Sequence, residues 1–207
     1  NDMRKSTFER ILQVTTGLTV ALVFIFLISG VNIFTKDGWI KIQTIISIIV
    51  LFWVFYIGIG WKWPILKHLV YQENLNGTWF GKYNSKNFTS EETFTGDIAI
   101  VIRQSFLRID VKSYTENFIN HSFGEALHYD SKSDTNQLIY LYSQSQFNPT
   151  DDNIRKGTSE LMLHLNVNGP ELFGDFWTNH NSKGSLNLKR LNTSHSKSFL
   201  EAKKLIK

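Results

Sequence analysis

The chain has 207 residues and no cysteine, which excludes disulfide frameworks, cysteine nucleophiles and thiolate-bound zinc or iron–sulfur sites. Its net charge is +4, and only 19% of its residues are charged, below the roughly 25% of ordinary soluble chains. A mean hydropathy of −0.16 reads as soluble, but that average conceals two unlike halves.

From Ile11 to Thr35 no residue is charged, and from Ile42 to Trp61 again none. At a rise of about 1.5 Å per residue these runs span about 37 and about 30 Å, enough for a hydrocarbon core of about 30 Å. We read them as transmembrane helices over about 11–35 and 42–61, joined by the short Lys36–Lys41 segment into an antiparallel hairpin. A cleaved signal peptide accounts for neither the second run nor the lack of a small-residue cleavage site after the first. Trp39, Trp53, Trp61 and Trp63 supply interfacial aromatics, and Pro64 ends the second span. Arg4, Lys5 and Arg10 before the hairpin and Lys62 and Lys67 after it outnumber Lys36 and Lys41 in its loop. That bias predicts both termini in the cytoplasm. Neither span carries an ionisable side chain, which argues against an ion relay within one hairpin. Gly17 and Ala21 make a small-xxx-small step on the first helix, suited either to packing the hairpin's own helices or to association of copies.

Charge divides the chain in the same way. Residues 1–73 hold seven Lys/Arg and four Asp/Glu, residues 74–191 eleven and thirteen, and residues 192–207 four and one. The basic excess therefore lies beside the spans and on a C-terminal tail, where it suits a lipid bilayer rather than a duplex nucleic acid.

After Asn74 the pattern changes to period-two alternation punctuated by turn residues. It predicts strands at about Asn76–Ser85, Phe94–Ser105, Phe106–Glu116, Asn120–Asp130, Asn136–Gln146, Thr158–Val167, Glu171–Asn179 and Lys183–Leu191. Eight strands with short connections are expected to close as an up-and-down antiparallel β-barrel; a sandwich needs a long Greek-key crossover that the spacing does not offer. Alternation puts Ile98, Ile100 and Ile102 inside on the second strand, Leu107, Ile109 and Val111 on the third, and Leu161, Leu163 and Leu165 on the sixth.

The polar exceptions on the inner faces sort to the two ends of the barrel. Trp79, Gln104 and Arg190 fall at the end where the first strand begins, and Tyr83, Ser113, Ser122, Tyr142 and Thr178 at the far end. Buried polar groups need partners, so the far cluster calls for an internal network, ordered water or a polar ligand at an open mouth. Gly77-Thr78-Trp79 with Arg190 resembles the lipocalin arrangement, in which a Gly-x-Trp tryptophan lies beneath an arginine at the closed end; here Trp79, Gln104 and Arg190 are read as a structural plug.

The cues in order are Gly77-x-Trp79 near Tyr83, Ile102-x-Gln104-x-Phe106, Leu138-x-Tyr140-x-Tyr142, Gly157, Gly174-x-Phe176-x-Thr178 and Gly184-x-Leu186-x-Leu188-x-Arg190. With the hairpin before them, they resemble the two-transmembrane, β-strand-rich effectors of CBASS antiphage operons, the SMODS-associating two-transmembrane family. The resemblance covers nearly the whole chain. It departs at Asn179-His180, where a positively charged residue is expected after the threonine. The resemblance implies a lipocalin-like sensor barrel that binds a cyclic dinucleotide made by a partner nucleotidyltransferase. It further implies a bacterial inner-membrane location, a ligand-induced homo-oligomer with Gly17 and Ala21 on its packing face, and membrane disruption that kills the infected cell. On that ligand, Tyr83, Tyr142 and Phe176 would stack on bases and Ser113, Ser122 and Thr178 would donate hydrogen bonds. Lys86, Arg155, Lys156 and Lys183 would supply cations from the rim.

Two other classes stand beside this one. A membrane-tethered, lipocalin-like carrier of a lipid or other apolar ligand would need an apolar cavity. An enzyme would need catalytic spacing, and the six histidines show no H-x-H or H-x-x-x-H; Asp151-Asp152 is turn chemistry, and no phosphate loop or nucleophile elbow is present. No metal site or resident cofactor is expected.

Overall fold

The computed structural model describes residues 7–30, 35–70, 72–130, 135–146, 155–167 and 169–206. Arg4, Lys5 and the Asp151-Asp152 pair lie outside them. The chain forms two compact units, residues 1–74 with 105–107, and residues 75–104 with 108–207.

The first unit holds α1 (Thr7–Ile28) and α2 (Lys36–Gly58). Both are long and apolar enough to cross a membrane, and together they are the chain's membrane anchor. Buried positions make up 0% and 11% of their apolar windows, where the core helices of a soluble protein would be mostly covered. The helices do not coincide with the uncharged runs. α2 begins at Lys36 because the Thr35 side chain caps it, accepting from the Gly38 amide at 3.2 Å. The pairing is antiparallel: Trp53 Nε1 donates to Thr15 Oγ1 at 3.0 Å near one end, and Lys41 Nζ lies 5.8 Å from the Phe26 ring near the other. Val14, Thr15, Leu18, Thr19 and Leu22 are half-buried on α1, while Gly17 and Ala21 lie exposed. The small-residue step therefore does not pack the hairpin. Below α2, the Tyr56 hydroxyl donates to the Val70 carbonyl at 3.0 Å and accepts from the Val70 amide at 3.1 Å. Phe106 packs edge-on to Tyr56 at 5.4 Å, and both are buried.

The second unit is a closed barrel with strand order β1 to β8. The strands are β1 (Gly77–Asn87), β2 (Thr93–Gln104), β3 (Ile109–Tyr114), β4 (Phe118–Asp130), β5 (Thr135–Gln146), β6 (Lys156–Asn166), β7 (Gly169–Thr178) and β8 (Ser182–Asn192). Every neighbour is antiparallel, and β1 closes on β8 with Trp79 opposite Arg190 and Tyr83 opposite Leu186. Inward residues form one core that includes Ile100, Ile102, Leu138, Leu161, Leu172 and Leu188. Glycine permits the sharp coiling that closure demands: a Cβ on Gly81 would collide with the Asn187 carbonyl, and one on Gly174 with the Glu160 carbonyl.

Two inward assignments are corrected. Leu107 is 74% exposed, because β3 starts only at Ile109 and residues 105–107 leave the ladder, with Phe106 taking the buried place in the first unit. Leu165 is 69% exposed, since it stands near the β6–β7 turn, opposite Pro170 and beyond the layer that closes the core. The C-terminal residues also belong to the barrel unit. Thr78 Oγ1 donates to the Ser194 carbonyl at 2.7 Å and accepts from the Ser196 amide at 3.0 Å. α3 (Phe199–Lys203), capped by Ser198, lays Phe199 and Ala202 on the outer faces of Phe80, Ala99 and Val101.

Candidate functional site

At the end of the barrel formed by the β1–β2, β3–β4, β5–β6 and β7–β8 connections lies a cavity of about 860 Å³. That volume falls within the roughly 300–1,000 Å³ of small-molecule sites. Strand alternation builds its wall. Tyr83 projects from β1, Ser113 from β3, Asn120 from β4, Tyr140, Tyr142 and Gln144 from β5, and Phe176 and Thr178 from β7. Arg155, just ahead of β6, completes it.

One sector is polar and its geometry follows from register. Ser113 stands opposite Asn120, and Asn120 opposite Gln144. Asn120 Nδ2 donates to Ser113 Oγ at 2.8 Å, and the Gln144 backbone N–H donates to the Arg155 carbonyl at 2.7 Å. These bonds fix the row while leaving three buried atoms without a hydrogen-bond partner: Asn120 Oδ1, Gln144 Nε2 and Arg155 Nε. Buried polar atoms are satisfied in the great majority of native structures, and leaving one unpaired costs about 1–3 kcal/mol. All three residues line the cavity. The Arg155 guanidinium also lies 5.8 Å from the Phe118 ring, which holds the cation at the wall.

The other sector is aromatic. Tyr140 and Tyr142 rings pack at 5.9 Å. Burial pushes the Tyr140 phenol up to about 12, against a hydrogen bond with Ser159 that lowers it. Burial, reinforced by Tyr140, pushes Tyr142 up as well. Both phenols stay neutral at physiological pH, so neither repels an anion.

Six of the ten residues assigned to the mouth line this cavity: Tyr83, Ser113, Tyr142, Phe176, Thr178 and Arg155. Ser122 and Lys183 do not. The β3–β4 ladder pairs only Lys112–Tyr114, so the Val111 amide turns to Ser122 Oγ at 2.9 Å, while that hydroxyl donates to the Glu125 carboxylate. A bulge at Phe123 follows directly. Lys183 points outward because Gly184 points in, and it pairs with Asp175 at 3.3 Å. Lys86 and Lys156 are likewise exposed, leaving Arg155 as the rim cation among the described residues that faces the cavity. Asn179 clips the rim: its amide donates to the Lys156 carbonyl and its Oδ1 accepts from the Lys156 amide, both at 2.9 Å. Tyr140, part of the Leu138-x-Tyr140-x-Tyr142 cue, also lines the site, as do Asn120, Gln144 and Ser159, which were not singled out in the sequence, although Ser159 shares its face with Leu161 and Gln144 shares one with Tyr142.

At the opposite end Trp79 is fully buried. Its Nε1 donates to the Leu75 carbonyl at 2.9 Å, and Arg190 lies 5.4 Å from its ring. Gln104 Oε1 accepts from the Leu75 amide at 2.7 Å. Among the described residues no three His, Asp or Glu side chains converge as a metal site.

The chain was compared with known proteins. It is 22% identical over 187 residues to CD-NTase-associated protein 15 of Staphylococcus schleiferi, covering 88% of this chain and 97% of that one. Residues 71–190, more than half of the chain and nearly all of the barrel, match the family model described as the Cap15 cyclic dinucleotide receptor domain. An anchored, closed eight-stranded barrel with a mixed aromatic and polar cavity at one end is thus joined to a sequence match over that same barrel, and the chain belongs to the Cap15 cyclic dinucleotide receptor family.

Proposed function

We propose that the mouth cavity is where this chain binds a cyclic dinucleotide, and that binding switches a membrane-anchored CBASS effector. The observation that carries the reading is the unpaired trio of Asn120 Oδ1, Gln144 Nε2 and Arg155 Nε in a cavity shared with Tyr83, Tyr142 and Phe176. A cyclic dinucleotide offers what these groups lack: planar bases for rings, base edges for amides and phosphate oxygens for a guanidinium. An apolar ligand would leave all three polar atoms unpaired, which disfavours the carrier reading.

The ligand comes from a partner nucleotidyltransferase, a pairing that the name of the Staphylococcus relative supports. Synthesis in the cytoplasm agrees with the lysine and arginine bias that sets both termini there, in the bacterial inner membrane. Ligand binding then drives homo-oligomerisation and membrane disruption. Support for association in the bilayer is the exposed Gly17–Ala21 face, where a Cβ on Gly17 would meet nothing within 4 Å. The test is titration of the full chain in lipid nanodiscs with cyclic dinucleotides, followed by dye release from liposomes carrying the chain. Binding with ligand-dependent release is expected. Absence of binding overturns the receptor reading, and binding without release overturns the membrane step alone.

A further inference from the structure

The three rings assigned to stacking share a feature that the function does not require by itself. Each is seated on a glycine directly across the ladder. Tyr83 stands opposite Gly96, Tyr142 opposite Gly157 and Phe176 opposite Gly184. A Cβ on Gly96 would lie 2.8 Å from Tyr83 Cε1 and 2.9 Å from its hydroxyl. One on Gly157 would lie 2.5 Å from Tyr142 Cζ, and one on Gly184 would lie 2.6 Å from Phe176 Cε1. Around the closed barrel, ring-bearing β1, β7 and β5 therefore alternate with glycine-bearing β2, β8 and β6. The remaining two strands, β3 and β4, carry Ser113 and Asn120 of the polar sector. Among the barrel glycines of the described residues only these three seat a ring; Gly81 and Gly174, deeper in, face backbone atoms instead.

We infer that Gly96, Gly157 and Gly184 are specificity-determining positions that seat the three rings against the wall and so set the bore for a ligand with planar bases. The physical reason is that a ring at the inner face of a barrel has two places to go. Where the facing residue has a side chain the ring is displaced into the lumen; where it is glycine the ring settles on the backbone and the lumen stays open. Seated rings also give up little freedom when a base stacks on them, which favours binding. This inference rests on the reading of the cavity as the cyclic dinucleotide site.

Gly96 offers the clean test. The three atoms nearest a methyl there all belong to the Tyr83 side chain, whereas at Gly157 they include the Trp177 carbonyl and at Gly184 the Asn84 carbonyl. The full chain in nanodiscs is titrated with cyclic di-AMP, cyclic di-GMP and cyclic UMP-AMP as wild type, Gly96→Ala, Tyr83→Ala and the double variant, with thermal unfolding alongside. Gly96→Ala is expected to keep or raise the melting temperature, since alanine suits a strand better than glycine, while weakening binding tenfold or more. The double variant is expected to bind within twofold of Tyr83→Ala, because the methyl is harmless once the ring is gone. Gly96→Ala binding within twofold of wild type overturns the inference, as does a double variant weakened by the product of the two single effects. No binding by wild type to any of the probes overturns the receptor reading instead, and this inference with it.

Discussion

The sharpest consequence of the cavity concerns Arg155. Its Nε is buried and unpaired, and its guanidinium lies over Phe118 at 5.8 Å. A hydrogen bond from a charged donor contributes about 1.5–3 kcal/mol. At about 1.4 kcal/mol per decade, Arg155→Ala is expected to weaken cyclic dinucleotide binding by roughly 10- to 150-fold. The fold loses the ring contact, about 0.5–1 kcal/mol at such a site, and sheds the buried unpaired Nε, so the melting temperature without ligand is expected not to fall. Arg155→Lys keeps the charge but not the planar fork, and is expected to fall between wild type and alanine. The assay is isothermal titration of the full chain in nanodiscs at about 0.15 and 0.5 M salt, where screening separates charge from shape. An alanine variant that binds within twofold of wild type would refute the assignment of Arg155 to the phosphates.

Gln144→Met removes a buried amide nitrogen that has no partner while keeping the side chain's length, so the apo protein is expected to gain thermal stability and lose ligand affinity; a drop in melting temperature would count against the unpaired state. A double-mutant cycle on Trp79 and Arg190 is expected to give about 0.5–2 kcal/mol of coupling in chemical unfolding, and zero coupling would remove the cation–π plug. Tyr56→Phe deprives both the Val70 amide and carbonyl of their buried partner and is expected to cost about 1–3 kcal/mol, read as a lower melting temperature of the anchor. Partial desolvation and the facing Lys112 hold the His121 imidazole below its ordinary value near 6.5. The unfolded chain then binds that proton more readily than the folded one, so stability is intact above about pH 6.5 and falls as pH drops below it. His121→Gln is expected to flatten the difference in melting temperature between pH 7.5 and 5.5, and an unchanged slope would exclude this histidine as its source.

The hairpin and the eight strands were legible because each rests on a local periodicity: continuous apolar runs long enough to cross a bilayer, then alternation at period two. The mouth residues Tyr83, Tyr142 and Phe176 followed from parity along single strands. What was not legible depends on pairing between strands. Ser122 has the right parity, but the short β3–β4 ladder leaves the Val111 amide for it to satisfy, and the hydroxyl is spent there. Phe106 alternates correctly with Gln104, yet it leaves β3 to pack on Tyr56. The unpaired Asn120 Oδ1 and Gln144 Nε2 and the ring–glycine pairs exist only once the register is set, and no single strand announces them. Lys183 is the instructive case, since the inward Gly184 already turns it outward; a lysine near a rim is not thereby a ligand contact.

That outward turn bears on how an anionic ligand is captured. Residues 74–191 carry eleven basic and thirteen acidic side chains, so the sensor has no long-range field to draw in a doubly charged molecule. Lys86 and Lys156 point to solvent, and Lys183 is offset by Asp175. At physiological salt such exposed charges are screened within about 8 Å. Selectivity must then arise inside the mouth, from groups that act at contact distance: a guanidinium on an aromatic wall, one amide oxygen and one amide nitrogen without partners, and rings seated on glycine. Contact forces govern escape more than encounter. Arg155→Ala should therefore raise the dissociation rate while leaving the association rate within about threefold, measured by stopped-flow or surface-based kinetics. A variant whose loss of affinity lay mainly in the association rate would show that steering, and not the cavity's contacts, does the capturing.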